Sequence, residues 1–309
     1  MFTQLEDLPN ELLIDTFGYF DIRELFYSFW KLNKRFKRLI RSLQNLSLTL
    51  EKDEPKLISL FACQIRRLVV NTRQDINFNQ FPRLYSLVLH QMTPNQWKQL
   101  GSAFLPHLTY LSTSCITEYS YEGLLLHIRI LFPNQLPTLR HLNLGFIHAP
   151  VFRWTESSSL YSISVRSNDP TVVPYILTSC HNLYYLDVSF LPDTVENCKN
   201  QSVITNHPLK QFILSDSYHK LSFEIVDIFL SSIPNVKRIK LSFQCNVPFI
   251  DFVQCLSNRL RYLRRFDCEI DDISDDETTA IEIIRQIHPC FNRIQLDRGL
   301  HGFRTFRTY

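Results

Sequence analysis

Cys180 and His181 are adjacent, and His288 and Cys290 flank Pro289, so two thiol–imidazole pairs stand at spacings that nucleophilic catalysis could use. That chemistry needs a nucleophile, an imidazole base and an orienting carboxylate in mutual contact. Both pairs occupy the same slot, just ahead of an apolar strand pattern, and neither a nucleophile-elbow motif nor HExxH occurs in the chain. They read as structural cysteines. Asp271, Asp272, Asp275, Asp276 and Glu277 form an acidic run. A calcium loop needs alternating ligands around a glycine, which this run lacks, so it reads as the solvated start of a helix. The eight cysteines (Cys63, Cys115, Cys180, Cys198, Cys245, Cys255, Cys268, Cys290) include no CxxC pair, which argues against zinc or thioredoxin-type sites. Reduced, buried thiols in a cytosolic or nuclear protein are expected. The six glycines never cluster as a phosphate-cradling loop requires. No catalytic residue, metal or cofactor is therefore expected.

A formal net charge of +3 is too small to point to nucleic acid. The dense basic run Lys31, Lys34, Arg35, Lys37, Arg38 and Arg41 reads as the solvated face of a helix. No stretch approaches the apolar length of a membrane span, and the start MFTQLEDLPNE is acidic and polar, unlike a secretory signal.

The elements that would position any site begin at residue 5. Asp7 is a candidate N-cap ahead of Pro9, with Glu11 in the first turn. Leu12, Leu13, Thr16, Phe17 and Phe20 then repeat at helical spacing. Asp21 is a candidate cap for a second helix carrying Leu25, Phe26, Phe29 and Trp30, and a third would carry Leu32, Phe36, Leu39 and Ile40. A unit of roughly 40 residues without a disulfide normally needs a partner to be stable. The apolar positions outnumber one stripe per helix, so some must face outward or meet other protein.

LPNELL, the Glu24-Leu25 pair and LNKRFKRLI together resemble an F-box over about residues 5–45. The resemblance implies a three-helix module docking on a Skp-family adaptor of a cullin–RING ubiquitin ligase. Carried over residue by residue, it implies core and adaptor contacts from Leu8, Pro9, Leu12, Leu13, Phe17 and Leu25. Two departures stand out: an extra residue between Leu25 and Lys34, and Asn33 where cysteine is common.

From residue 43 a pattern apolar-x-x-apolar-x-apolar recurs eleven times, from Leu43-Leu46-Leu48 to Phe291-Ile294-Leu296. Its mean period is about 25 residues, with single spacings from 19 to 31, and leucine-rich repeats run at 20–29. The last two apolar positions alternate as a strand facing one core. Intervening helices are expected at Trp97–Phe104, Val172–Leu177, Phe223–Leu230, Phe249–Leu256 and Thr278–Ile287. Prolines 82, 106, 137, 208, 234 and 289 precede the first repeat position, where a helix must end. This region resembles the leucine-rich-repeat family, irregularly: of the asparagines that often follow the strand, only Asn168 is a clear match.

The expected architecture is α/β: a helical module at 1–45, an irregular leucine-rich-repeat solenoid (a horseshoe) at 46–298, and a tail at 299–309 that caps the last repeat or is disordered. Residues between the apolar strand positions would form a preformed concave surface. From these, Tyr110, His141, Asn143, Arg166, Tyr185, Asp187, Arg238, Lys240 and Asp267 are the candidates for target contact, with Ser114 beside them. The expected function is a non-catalytic substrate-recognition subunit of a Skp–cullin–F-box ligase, acting in cytoplasm or nucleus on an unidentified protein target, with no nucleic-acid or membrane partner. The alternative is a repeat scaffold or inhibitor that joins no ligase.

Overall fold

The computed structural model describes residues 5–101, 103–113, 136–147, 156–191, 206–216, 221–273, 281–298 and 304–308. The chain divides into two compact units, Met1–Leu139 and Arg140–Tyr309.

The first unit opens with a 3-10 turn, Leu5–Asp7, and three helices: α1 (Asn10–Phe17), α2 (Ile22–Ser28) and α3 (Lys34–Ser42). Pro9 rather than Asp7 caps α1; its carbonyl accepts the Leu13 N–H at 3.1 Å, and Asp7 is taken up by the preceding turn. Asp21 caps α2 as expected, in a reciprocal box with Glu24. Phe29 and Trp30 fall just beyond the end of α2. Asn33 caps α3 by accepting the Phe36 N–H at 2.9 Å, which is what an asparagine does better than a cysteine at that place. Leu32, expected on α3, lies ahead of this cap and is 57% exposed.

The three helices close on a ring cluster of Phe17, Phe29 and Phe36, with centroids 5.1–6.0 Å apart. They also lean on the first repeat. Strand β1 (Leu46–Leu50) and helix α4 (Pro55–Phe61) follow α3, across Asn45, which takes the left-handed φ of 64° that asparagine tolerates. Phe61 packs edge-on against Trp30 at 5.0 Å and Phe26 at 6.3 Å. Arg23 reaches Glu51 and the buried Glu54, each at 3.1 Å, and the Tyr27 hydroxyl donates to Glu54. The small module thus borrows core from the repeat that follows it.

Strands β2 (Ile65–Val70), β3 (Ser86–Leu89) and β4 (Tyr110–Thr113) join β1 in a parallel ladder in chain order. The helix expected at Trp97–Phe104 is instead α5, Pro94–Lys98. Thr93 and Gln96 explain the shift: each accepts the other's backbone N–H, a Thr-x-x-Gln capping box with proline at the first helical position.

In the second unit β5 (His141–Ile147), β6 (Ser162–Ser167), β7 (Tyr185–Phe190), β8 (Gln211–Asp216), β9 (Arg238–Cys245) and β10 (Arg265–Asp272) pair in parallel in chain order. Helices α6 (Val172–Ser179), α7 (Phe223–Ser232), α8 (Phe249–Arg259) and α9 (Ile281–Ile287) bury one side each; residues 278–280 of the last expected helix lie outside the described residues. The alternation of buried and half-buried residues along β5–β8 is the period-two signature of a strand with one core face.

The last strands depart from simple repetition. After β11 (Ile294–Arg298), β12 (Arg304–Thr308) inserts antiparallel between β10 and β11. Residues 304–308 therefore belong to the sheet and not to a tail outside it. Phe306 stacks on Phe249 at 3.8 Å, Arg304 pairs with the wholly buried Asp272 at 2.8 Å, and the Thr305 hydroxyl donates to Asp271 at 2.6 Å. Asp271 and Asp272 so lie on β10 instead of at a solvated helix start, while Asp275, Asp276 and Glu277 lie outside the described residues. Leu296, expected in the core, is 41% exposed on β11, which among the described residues pairs with a strand on one side only.

A polar ladder ties successive turns together. Gln64, Thr138, Asn182 and Asn235 each precede a first repeat position, and each donates to a backbone carbonyl of the turn before (Leu43, Leu108, Ser158 and His207) at 2.9–3.1 Å. These bonds satisfy carbonyls that a turn would otherwise bury unpaired.

Candidate functional site

Two surfaces emerge, one on each unit. On the helical module, the residues named for adaptor contact separate by burial. Leu13, Phe17 and Leu25 are wholly buried, so of the expected core and adaptor contacts they supply the core and have no surface to present. Pro9 and Leu12 are exposed and Leu8 is half-buried. Leu12, 51% exposed, shares its helix with exposed Ile14, and Leu5, Tyr19 and Phe20 add apolar surface at the two ends of that helix. The segment before α1 is fixed from α3. Arg35 donates to the Glu6 and Leu8 carbonyls and to Asn10 Oδ1, and Asn33 Nδ2 donates to Glu6 at 2.8 Å. Lys37 and Arg41 lie over the Trp30 ring at 5.1 and 5.2 Å. Part of the basic face of α3 is thus structural and not merely solvated.

Of the target-contact candidates, Tyr110 lies on β4 in the first unit and the other eight lie in the second; Ser114 lies outside the described residues. Asn143 is spent locally: its Oδ1 accepts the Gly145 N–H at 3.1 Å, shaping a bulge whose φ of 59° suits glycine. Strand register brings others together. Asp187 lies beside Ser164 and Ile213, and Lys240 lies between Ile213 and Asp267. Burial raises the Asp187 carboxyl above the ordinary carboxylate range, opposed by a Tyr185 hydroxyl bond at 3.4 Å and by the charges of Lys240 and Arg166. The same burial, reinforced by the Asp187 charge, raises the Tyr185 phenol. Asp267 accepts from Arg265 at 2.6 Å and Arg293 at 3.1 Å. Among these candidates, then, Asp187 and Asp267 already have cations around them, while Arg238 projects into solvent.

Sequence reasoning missed the row directly beside this face. The residue after each first repeat position is Arg140, Tyr161, Tyr184, Lys210, Lys237 and Arg264. Tyr161 and Tyr184 stack at 4.8 Å and 8°. Next to them Tyr184, Lys210, Gln211, Lys237, Arg238, Arg264 and Arg265 line a cleft of about 480 Å³. The signal was present as a fixed repeat phase, one place ahead of the positions taken for the surface.

Burial pushes the thiols of Cys180, Cys245 and Cys290 up to about 12 and that of Cys268 higher still, so they stay protonated at neutral pH. His288 Nδ1 accepts the Cys290 N–H at 3.2 Å and caps the 3-10 turn Pro289–Phe291.

Residues 5–48 match the F-box domain family model. No curated protein matches the chain. Among solved structures, the leucine-rich repeat-containing protein LegL7 from Legionella pneumophila is similar with a TM-score of 0.43 and 15% identity, over 82% of this chain and 91% of that one. A Rad7 and Elc1 complex in yeast is similar with a TM-score of 0.39 and 9% identity, over 89% and 87% of the two chains. Neither likeness is close enough to carry a functional argument. The chain combines an F-box domain with a repeating parallel-strand sheet of leucine-rich-repeat type.

Proposed function

We propose that this F-box and leucine-rich-repeat chain is a substrate-recognition subunit of a Skp–cullin–F-box ubiquitin ligase. The observation that carries the reading is the exposed apolar surface of α1, with Leu12 and Ile14 flanking buried Leu13, on a module whose own core is already filled and which matches the F-box model over residues 5–48. A face of that kind gains by burying Leu12 and its neighbours against an adaptor of the Skp family, at about 25 cal/mol per Å² removed from water. The module's packing on the first repeat, through Phe61 and the Arg23–Glu54 pair, ties the adaptor contact to the repeats. The sheet face then holds a protein target, and the chain's contribution to ubiquitination is to raise the target's local concentration at the ligase. Such work belongs in the cytosol or nucleus.

Co-expression of the full chain with a Skp-family adaptor tests the reading. The wild-type chain is expected to co-purify with the adaptor, and Leu12→Asp to abolish the association while leaving the thermal midpoint unchanged. Equal adaptor recovery with Leu12→Asp removes the α1 docking face. No association of the wild-type chain leaves a repeat scaffold outside any ligase.

A further inference from the structure

The cleft at the starts of β7–β10 holds more positive charge than its surroundings neutralise. Lys210, Lys237, Arg238 and Arg264 line it, and among the described residues none of the four has a carboxylate within ion-pair distance. Lys210 and Lys237 are half-buried, so their stems form the floor, while Arg238 and Arg264 are exposed. The Tyr184 ring walls one end.

We propose that this cleft docks an extended segment of the target protein rich in aspartate and glutamate. The inference rests on the target-capture half of the function above and names the chemistry of what is captured. Three features favour that occupant. First, the cations are strung out in series. Lys210, Lys237 and Arg264 occupy the same repeat phase, one residue ahead of neighbouring strands β8, β9 and β10, and adjacent strands are about 4.8 Å apart, so the row spans about 10 Å. Charges spread along a row match carboxylates spread along an extended peptide, whereas one phosphate group needs donors that converge on a point.

Second, the backbone amides at this edge are already committed. The carbonyl of Tyr184 accepts the N–H groups of Lys210 and Gln211, that of Lys210 accepts those of Lys237 and Arg238, and that of Lys237 accepts those of Arg264 and Arg265. Recognition falls to long side chains, with no anion-cradling backbone nest. Third, the field is short. Asp187, Asp267 and Glu269 stand further along the same strands, so a polyanion broad enough to cover the sheet face as well as the row would meet them. A peptide of a few acidic residues lying along the row need not.

The test is fluorescence anisotropy of the purified full chain with a labelled peptide of about twelve residues alternating Glu and Gly. Comparison probes are a Lys-Gly peptide, a neutral peptide carrying one phosphoserine, and oligouridine RNA of similar length. The Glu-Gly peptide is expected to bind most tightly and to weaken about tenfold as salt rises from about 50 to about 300 mM. Lys237→Glu and Arg264→Glu are each expected to weaken it about tenfold, with Arg66→Glu in the first unit as the control that leaves it unchanged. Milder Lys237→Gln and Arg264→Gln changes give the same ranking if a charge reversal fails to fold. No binding of the Glu-Gly peptide, or equal loss with Arg66→Glu, overturns the proposal. Tighter binding of the phosphoserine peptide or of RNA also overturns it, replacing carboxylates by phosphate. Leu12→Asp separates the two readings: it is expected to lose the adaptor and retain the peptide. Loss of peptide binding alone defeats this inference and leaves adaptor docking standing.

Discussion

The helical module and the sheet face of the second unit expose opposite chemistries. Around α1 large apolar residues stand exposed among the polar ones, with Tyr19 at 91% and Leu12 at 51% of their free surface. At the strand starts of β8–β10 they are lysines and arginines. Burying an apolar face yields an attraction that salt barely alters, suited to a standing subunit contact. A row of exposed cations steers and selects a partner, and salt screens it. One chain therefore presents a surface suited to staying bound and another suited to exchanging what it holds.

The sharpest break of this contrast lies inside α1. Phe17→Ala is expected to cost about 4 kcal/mol by removing the centre of the module's aromatic cluster, whereas Leu12→Ala, one turn earlier and exposed, should change stability by less than about 0.5 kcal/mol. Denaturant unfolding of the two variants checks this. Comparable losses would show that Leu12 is packed and not free for a partner.

Next in size is the link between module and repeats. Arg23→Ala leaves the Glu54 carboxylate buried without its cation, and the expected cost is about 2–3 kcal/mol, below the full penalty of a broken buried pair because Arg23 is partly exposed. Glu54→Gln, which keeps an acceptor for the Tyr27 hydroxyl, should cost less. Equal midpoints for wild type and Arg23→Ala would mean that the aromatic contacts of Phe61 alone carry the junction.

Salt separates the two surfaces directly. Between about 50 and about 300 mM salt, adaptor affinity is expected to change less than about twofold, against about tenfold for an acidic ligand of the second unit. Titrations at both salt levels decide it, and parallel losses would erase the distinction.

The smallest expected effect is an acid response confined to the second unit. His207 is buried, accepts the Leu209 N–H at Nδ1 and meets the Cys180 carbonyl through Nε2 at 3.1 Å. Burial, and secondarily the nearby His181, holds its imidazole below the ordinary 6.5. With the folded value depressed, the unfolded chain binds the proton first as pH falls below about 6.5, so stability declines with acidification until the folded value is reached. His207→Asn keeps an acceptor two residues before Leu209 and should flatten the fall in thermal midpoint between pH 7 and pH 5.5, at a lower plateau. An unchanged slope would assign the acid response elsewhere.

Much of the fold was legible because the relevant signals are local. All eleven apolar-x-x-apolar-x-apolar segments carry strands, from Leu46–Leu50 to Ile294–Arg298, since a period of two needs only neighbours to be read. The Asp21 cap was legible for the same reason. The Thr93–Gln96 box was equally local, and passing over it displaced α5 along the chain. Helix α4, short and wedged between β1 and β2, was passed over as well. The candidate site was less legible. The cations of the cleft lie one residue ahead of the strand positions chosen for the surface, and only stacking of successive repeats makes Lys210, Lys237 and Arg264 neighbours.

By itself the sequence determined the repeat period, the strand positions, the helix caps and the composition of each surface, because hydrophobic alternation and capping act over two to seven residues. Tertiary structure alone decided three things. Leu13, Phe17 and Leu25 became core while Leu12 stayed outside, since helical spacing names an apolar stripe but not which edge of it is covered. Arg23 and Phe61 joined the module to the first repeat. Residues 304–308 entered between β10 and β11, where Arg304 neutralises Asp272 and Phe306 covers Phe249. Pairings across more than thirty residues leave no periodic trace in the chain; they form because buried charge and an open strand edge are costly until something distant covers them.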